Sequence, residues 1–131
     1  MIGLDTNIVL RWLVADDNDA AQNRAALQAI ERADDTIFLN DIVIAETGWV
    51  LAARYQQSRR DIAAGFTRLL AHPKVRVSNA AAILSALSAY ELGGAGLSDR
   101  LIGAQNHAAG CKTTLTFDKS AAKGPHFTHL S

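Results

Sequence analysis

Four carboxylates stand out by their positions. Asp5 follows the apolar run Ile2-Gly3-Leu4, and Asp118 follows Leu115-Thr116-Phe117, so each ends a predicted strand. Asp99 opens a predicted helix just after Gly93-Gly94-Ala95-Gly96. Glu46 lies on an apolar stripe of helical period formed by Ile42, Ala45, Trp49, Val50 and Ala53, and is expected to face the core. Each residue alone has an ordinary explanation. Aspartate bonds backbone N–H groups at strand ends and turns, an acid at a helix start suits the macrodipole, and Glu46 has Arg11, Arg54 or Arg100 as salt-bridge partners. Gathered at one edge, however, four carboxylates repel one another unless divalent cations compensate them. Oxygen-only ligands suit Mg²⁺ or Mn²⁺, and such a site activates water and neutralises charge building on a phosphodiester.

Short strands alternating with helices must position these groups. The first strand is expected at Ile2–Asp5, followed by a helix capped by Asn7 and running through Val14. A second, alanine-rich helix is expected from caps among residues 16–19 to about Ala33. Thr36–Leu39 reads as a strand, and about Asp41 to Tyr55 as a helix. Ser58 and Asp61 resemble a capping box for a helix that ends near His72-Pro73. Lys74–Ser78 alternates charged and β-branched residues, as a half-buried strand does. Asn79 caps a helix stopped by Gly93-Gly94, and Ser98 caps another closed by Gly110. Lys112–Phe117 is a β-branched strand, with one more small strand expected around Phe127–Leu130. This order predicts a layered α/β fold with a mainly parallel sheet, whose ligands sit outside the carboxyl ends of the strands.

The chain has 131 residues, 49% of them apolar, and reads as a single domain over residues 1–131. Thirteen basic and thirteen acidic residues give a net charge of zero, so contact with nucleic acid must come from a local patch. The single cysteine, Cys111, excludes an internal disulfide framework, and its place beside a strand predicts burial. The opening residues predict no signal peptide and no apolar run is long enough to span a bilayer, so a cytoplasmic protein without membrane contact is expected.

These residues also carry a family resemblance over essentially the whole chain. The chain resembles PIN-domain ribonucleases, specifically the VapC-type toxins of bacterial type II toxin–antitoxin pairs. The opening Met-Ile-Gly-Leu-Asp-Thr-Asn resembles the family's first motif, which puts Asp5 in the role of metal ligand and Asn7 in support of it or of a metal-bound water. Glu46, in Ile-Val-Ile-Ala-Glu-Thr-Gly-Trp-Val, matches the helix-borne glutamate. Asp99 in Leu-Ser-Asp-Arg matches the third acid, and Asp118 in Leu-Thr-Phe-Asp-Lys the fourth, with Thr116 at its hydroxyl position. Arg100 stands where the family commonly has a small apolar residue, and the segment after Asp118 lacks a common aromatic.

The resemblance implies a PIN-like three-layer α/β/α fold around a central, mainly parallel sheet of four to five strands. It implies endonucleolytic cleavage of RNA to 5′-phosphate and 3′-hydroxyl ends, with Mg²⁺, or Mn²⁺ in its place, held by Asp5, Glu46, Asp99 and Asp118. It further implies a homodimer, a cognate VapB-type antitoxin and larger toxin–antitoxin assemblies.

Other residues are weighed against duller roles. Arg11, Arg54, Arg59, Arg60 and Lys119 are candidates for phosphate contact or else solvated helix ends, and Arg100 either pairs with Asp99 or contacts phosphate. His72, His107, His126 and His129 read as surface or structural residues, and Trp12, Trp49 and Tyr55 as core or interface anchors. Two rival functions stay open: a catalytically silent module binding RNA or a partner, and a metal-dependent phosphohydrolase of small substrates.

Overall fold

In the computed structural model, which describes residues 1–14, 20–32 and 35–131, the elements alternate as the sequence predicts. The chain forms two compact units. One comprises Met1–Gln56 with Arg68–Ser78, the other Gln57–Thr67 with Asn79–Ser131.

In the first unit, β1 (Ile2–Gly3), β2 (Ile37–Phe38) and β3 (Val75–Arg76) make a parallel sheet in the order β1-β2-β3. Parallel neighbours need crossovers, and the helices α1 (Thr6–Leu13), α2 (Ala20–Arg32) and α3 (Asp41–Ala53) lie between these strands in sequence, with the last turn of α4 (Arg59–Ala71), from Arg68 onward, leading into β3. Ile37 is fully buried, and Val75 points inward while Arg76 points out, the expected alternation. Val9, Leu10, Ile44 and Leu51 complete this core. The caps anticipated at residues 16–19, and the end at Ala33, lie outside the described residues.

In the second unit, α5 (Ala80–Glu91) packs on α6 (Leu97–Ala108), and β4 (Thr114–Thr116) pairs in parallel with β5 (Phe127–His129) across α7 (Lys119–Ala122). Asn79 caps α5 by accepting from the Ala82 N–H at 3.0 Å. The end of α6 is a Schellman turn: Cys111 N–H donates to Asn106 O (2.9 Å) and Gly110 N–H to His107 O (3.0 Å), with Gly110 at φ +100°. Gly103 admits the ring of Phe127, which a Cβ would meet at 2.5 Å.

Pairing is parallel within each unit, in a three-stranded sheet in the first and a two-stranded sheet in the second. The ladders are two or three residues long, shorter than the β-branched runs that announced them. Four expectations are corrected. The cap of α1 is Asp5, not Asn7, and that of α6 is Gly96, not Ser98. Cys111 is exposed, because the turn ending α6 holds it outside the ladder.

The stripe on α3 is the fourth correction. This helix is apolar on more than one face, and the buried set is Ile44, Thr47, Gly48 and Leu51. Ile42 and Trp49 are instead 66% and 67% exposed, and Glu46 is exposed with them. The expectation of a desolvated, core-facing Glu46 is therefore overturned.

Candidate active site

Asp5 leaves β1 at its carboxyl end and caps α1, its Oδ1 accepting from the Thr6 N–H at 2.7 Å. The Thr6 side chain turns the other way and donates its hydroxyl to Glu46 Oε2 at 3.1 Å. A single threonine thus ties two carboxylates, from α1's cap and from the middle of α3, across forty positions of sequence. Asp5 Oδ2 and Glu46 Oε1 have no hydrogen-bond partner among the described residues. Asp5 also borders an open groove of about 480 Å³ at the carboxyl ends of β1 and β2. Leu4, Phe38, Ile42 and Val43 give it apolar walls, and Asn40 adds a second polar group. This is the edge where open parallel sheets bind ligands. Asn7 is exposed in the first turn of α1, and Arg11, in its last turn, donates to Gln22 Oε1 at 3.2 Å.

In the second unit, Asp118 caps α7 by accepting from the Ser120 N–H (2.8 Å) and, more weakly, the Ala121 N–H (3.4 Å) with Oδ1. The Thr116 hydroxyl accepts from the Asp118 N–H at 3.0 Å, which sets the direction in which the acid leaves β4. Lys119 is exposed in the first turn of α7. Asp99 lies half-buried in the first turn of α6, delivered by the loop Gly93–Gly96.

Two guanidiniums grip that loop. Arg59 Nη1 donates to Tyr90 O (2.9 Å) and Ala95 O (2.8 Å), its Nη2 donates to Gly94 O (2.7 Å), and its Cζ stands 4.5 Å over the Tyr90 ring. Arg100 Nη2 donates to Gly93 O at 2.9 Å. The loop's carbonyls therefore face cations, and the glycine-rich stretch is a mount for α6. Arg59 is thus bonded to the protein rather than a solvated helix end, and Arg100 is turned toward the loop.

Sequence reading gave no role to Thr6 or to this use of Arg59. For Arg59 a signal existed: a cation in the first turn of a helix opposes the macrodipole, so it needs a partner elsewhere. For Thr6 the only hint was a hydroxyl between two motif residues.

The remaining ionisable cluster is imidazole. The rings of His107 and His126 stack with centroids 4.1 Å apart, beside a 220 Å³ pocket lined by small residues of α5 and α6. Partial burial, and secondarily the positive field of His107, hold His126 below the usual histidine pKa.

Asp5 and Glu46 supply hard oxygen donors, the donor type that Mg²⁺ accepts from one or two carboxylates while it keeps several waters. Among the described residues, no group of three or more His, Cys, Asp or Glu side chains forms a metal cage. The residues fit a hard divalent ion at the two-carboxylate level. None of the helices among the described residues is long and apolar enough to cross a membrane.

No curated protein matches the chain. A family model described as PIN domain matches residues 2–125. With its parallel strands and its first acid at the carboxyl end of β1, the chain belongs to the PIN domain family, a nuclease fold that is generally metal-dependent.

Proposed function

We propose that this chain is an endoribonuclease that depends on Mg²⁺, or on Mn²⁺ in its place, and cleaves RNA to 5′-phosphate and 3′-hydroxyl ends. One observation carries the reading. In a chain of the PIN domain family, Asp5 and Glu46 are held to one threonine at the carboxyl end of the first strand. Asp5, Glu46, Asp99 and Asp118 would hold the ion. When bound, it would supply the positive charge that acidifies an attacking water and offsets charge on the phosphodiester. The chain's own residues do the rest. Thr6 orients both Asp5 and Glu46, and Thr116 orients Asp118; Asn7, in the first turn of α1, would support the first acid. Arg11 and Lys119 would contact substrate phosphate, a local patch through which a chain of zero net charge binds RNA.

The motif set quoted above also supports a VapC-type toxin acting in the cytoplasm as a homodimer and neutralised by a cognate VapB-type antitoxin. Co-expression tests this part: growth arrest caused by the chain is relieved by its antitoxin and by Asp5→Asn, and arrest that persists with Asp5→Asn contradicts it.

A second reading, a silent module that binds RNA or a partner, is favoured by Ile42 and Trp49, exposed on the face that carries Glu46. Incubation of RNA with the purified chain separates the two. The nuclease cleaves with Mg²⁺ or Mn²⁺ and stops in EDTA, whereas the binding module retains RNA in EDTA and never cleaves.

A further inference from the structure

Arg100 is placed unlike an ordinary helix-start cation. Its Nη2 donates to Gly93 O, while its Nε and Nη1 are buried and find no acceptor among the described residues. The guanidinium lies against two glycines. A Cβ at Gly94 would stand 3.1 Å from Nη2, and a Cβ at Gly124 would land on Nη1. Gly124 closes α7 by donating its N–H to Ala121 O at 3.0 Å, and α7 is the helix that Asp118 caps. One side chain therefore joins the end of α5, the first turn of α6 beside Asp99, and the turn that closes α7.

An apolar side chain would fill this place without burying two unpaired N–H donors, and without setting a cation against the positive end of α6. A planar, permanently charged fork does what an apolar group does not. It fixes direction as well as distance at the first turn of α6, the turn that carries Asp99.

We propose that Arg100 is a positioning residue that fixes Asp99 and Asp118 in one arrangement for joint ion binding, and that Gly124 is glycine so that the guanidinium fits. The inference rests on the nuclease reading above. It gives Arg100 no contact with substrate phosphate.

The test uses the full chain as wild type, Arg100→Met, Arg100→Lys, Gly124→Ala and the double variant Arg100→Met/Gly124→Ala. Mn²⁺ binding is read by electron paramagnetic resonance of the free ion, and RNA cleavage as kcat and KM. Arg100→Met and Gly124→Ala should each weaken Mn²⁺ binding and lower kcat by about 10–100-fold, the usual effect of losing a group that orients metal ligands, with KM unchanged. Arg100→Lys should not restore either value, since a point charge lacks the fork. The double variant should be no worse than Arg100→Met, because the added methyl acts only through the guanidinium. Unchanged Mn²⁺ affinity, a rise in KM alone, or additive losses in the double variant would each overturn the proposal. If circular dichroism shows Arg100→Met unfolded, Gly124→Ala and Arg100→Lys decide the matter. Asp5→Asn separates the two levels: wild-type cleavage indifferent to that change refutes the nuclease reading, while Mn²⁺ binding still judges Arg100.

Discussion

Arg59→Met should destabilise this protein more than most single substitutions outside a core, because one side chain ties a carbonyl in the last turn of α5 to two carbonyls of the loop before α6. Its bonds to Tyr90 O, Ala95 O and Gly94 O are 2.9, 2.8 and 2.7 Å long, and its Cζ stands 4.5 Å over the Tyr90 ring. Hydrogen bonds from charged donors contribute about 1.5–3 kcal/mol each, but the carbonyls of a loop regain water when freed, and the Gly94 bond is already exposed. Discounting for this leaves about 1 kcal/mol for each of the two part-buried bonds, and the ring contact adds about 0.5–1 kcal/mol. A loss near 3 kcal/mol follows. With an unfolding entropy of about 2.1 cal/mol/K per residue, a chain of this length loses roughly 10 °C in Tm. Arg59→Lys should recover no more than about half, because an ammonium cannot reach three carbonyls and a ring in one plane. Thermal melts at pH 7.5 followed by circular dichroism measure this. A fall of less than about 3 °C for Arg59→Met would refute the reasoning and show that the loop holds itself.

Other outcomes follow from the same geometry. Glu46→Gln should move the melting temperature of the metal-free protein by no more than about 2 °C, since Glu46 is exposed and glutamine still accepts from Thr6, but should abolish the rise in Tm that Mn²⁺ produces. A large fall without metal would mark a structural role instead. For His126 the folded pKa lies below the unfolded value, so the unfolded state binds more protons between the two; stability is full above about pH 6.5 and falls as pH drops from there toward the folded pKa. The drop in Tm between pH 7.5 and 5.5 should therefore shrink in His126→Asn, which removes the charge and tolerates the local φ of +74°. An undiminished drop assigns the acid sensitivity elsewhere. Gly103→Ala should cost about 1–3 kcal/mol because its Cβ would strike Phe127, and Phe127→Leu should relieve part of that loss; equal losses in both backgrounds would contradict the contact.

Much of this arrangement was legible in residues that act locally. Asn79 announced α5, Gly93-Gly94 and Gly110 announced the ends of α5 and α6, and the alternation in Lys74–Ser78 announced which way Val75 faces. Asp5 and Asp118 were legible as strand-end acids, and both turn out to cap the helix that follows. What was hidden depends on contacts between distant residues. Apolar residues on several faces of α3 left its buried side undetermined by periodicity, so Glu46 was expected in the core and lies outside it. Gly96 rather than Ser98 caps α6 because the buried Leu97 already belongs to the helix. No local pattern reveals that Arg59 and Arg100 turn back onto the carbonyls of one loop.

The central claim is that this member of the PIN domain family cuts RNA through a carboxylate-held divalent ion. Mapping of new 5′-phosphate ends tests it most directly. Total bacterial RNA is incubated with the purified, folded chain and Mg²⁺ or Mn²⁺, beside samples containing EDTA or the Asp5→Asn or Asp99→Asn variant. The account predicts discrete new ends that vanish in EDTA and in both variants. An absence of new ends in every sample, or ends that persist in EDTA or with Asp5→Asn, would contradict it.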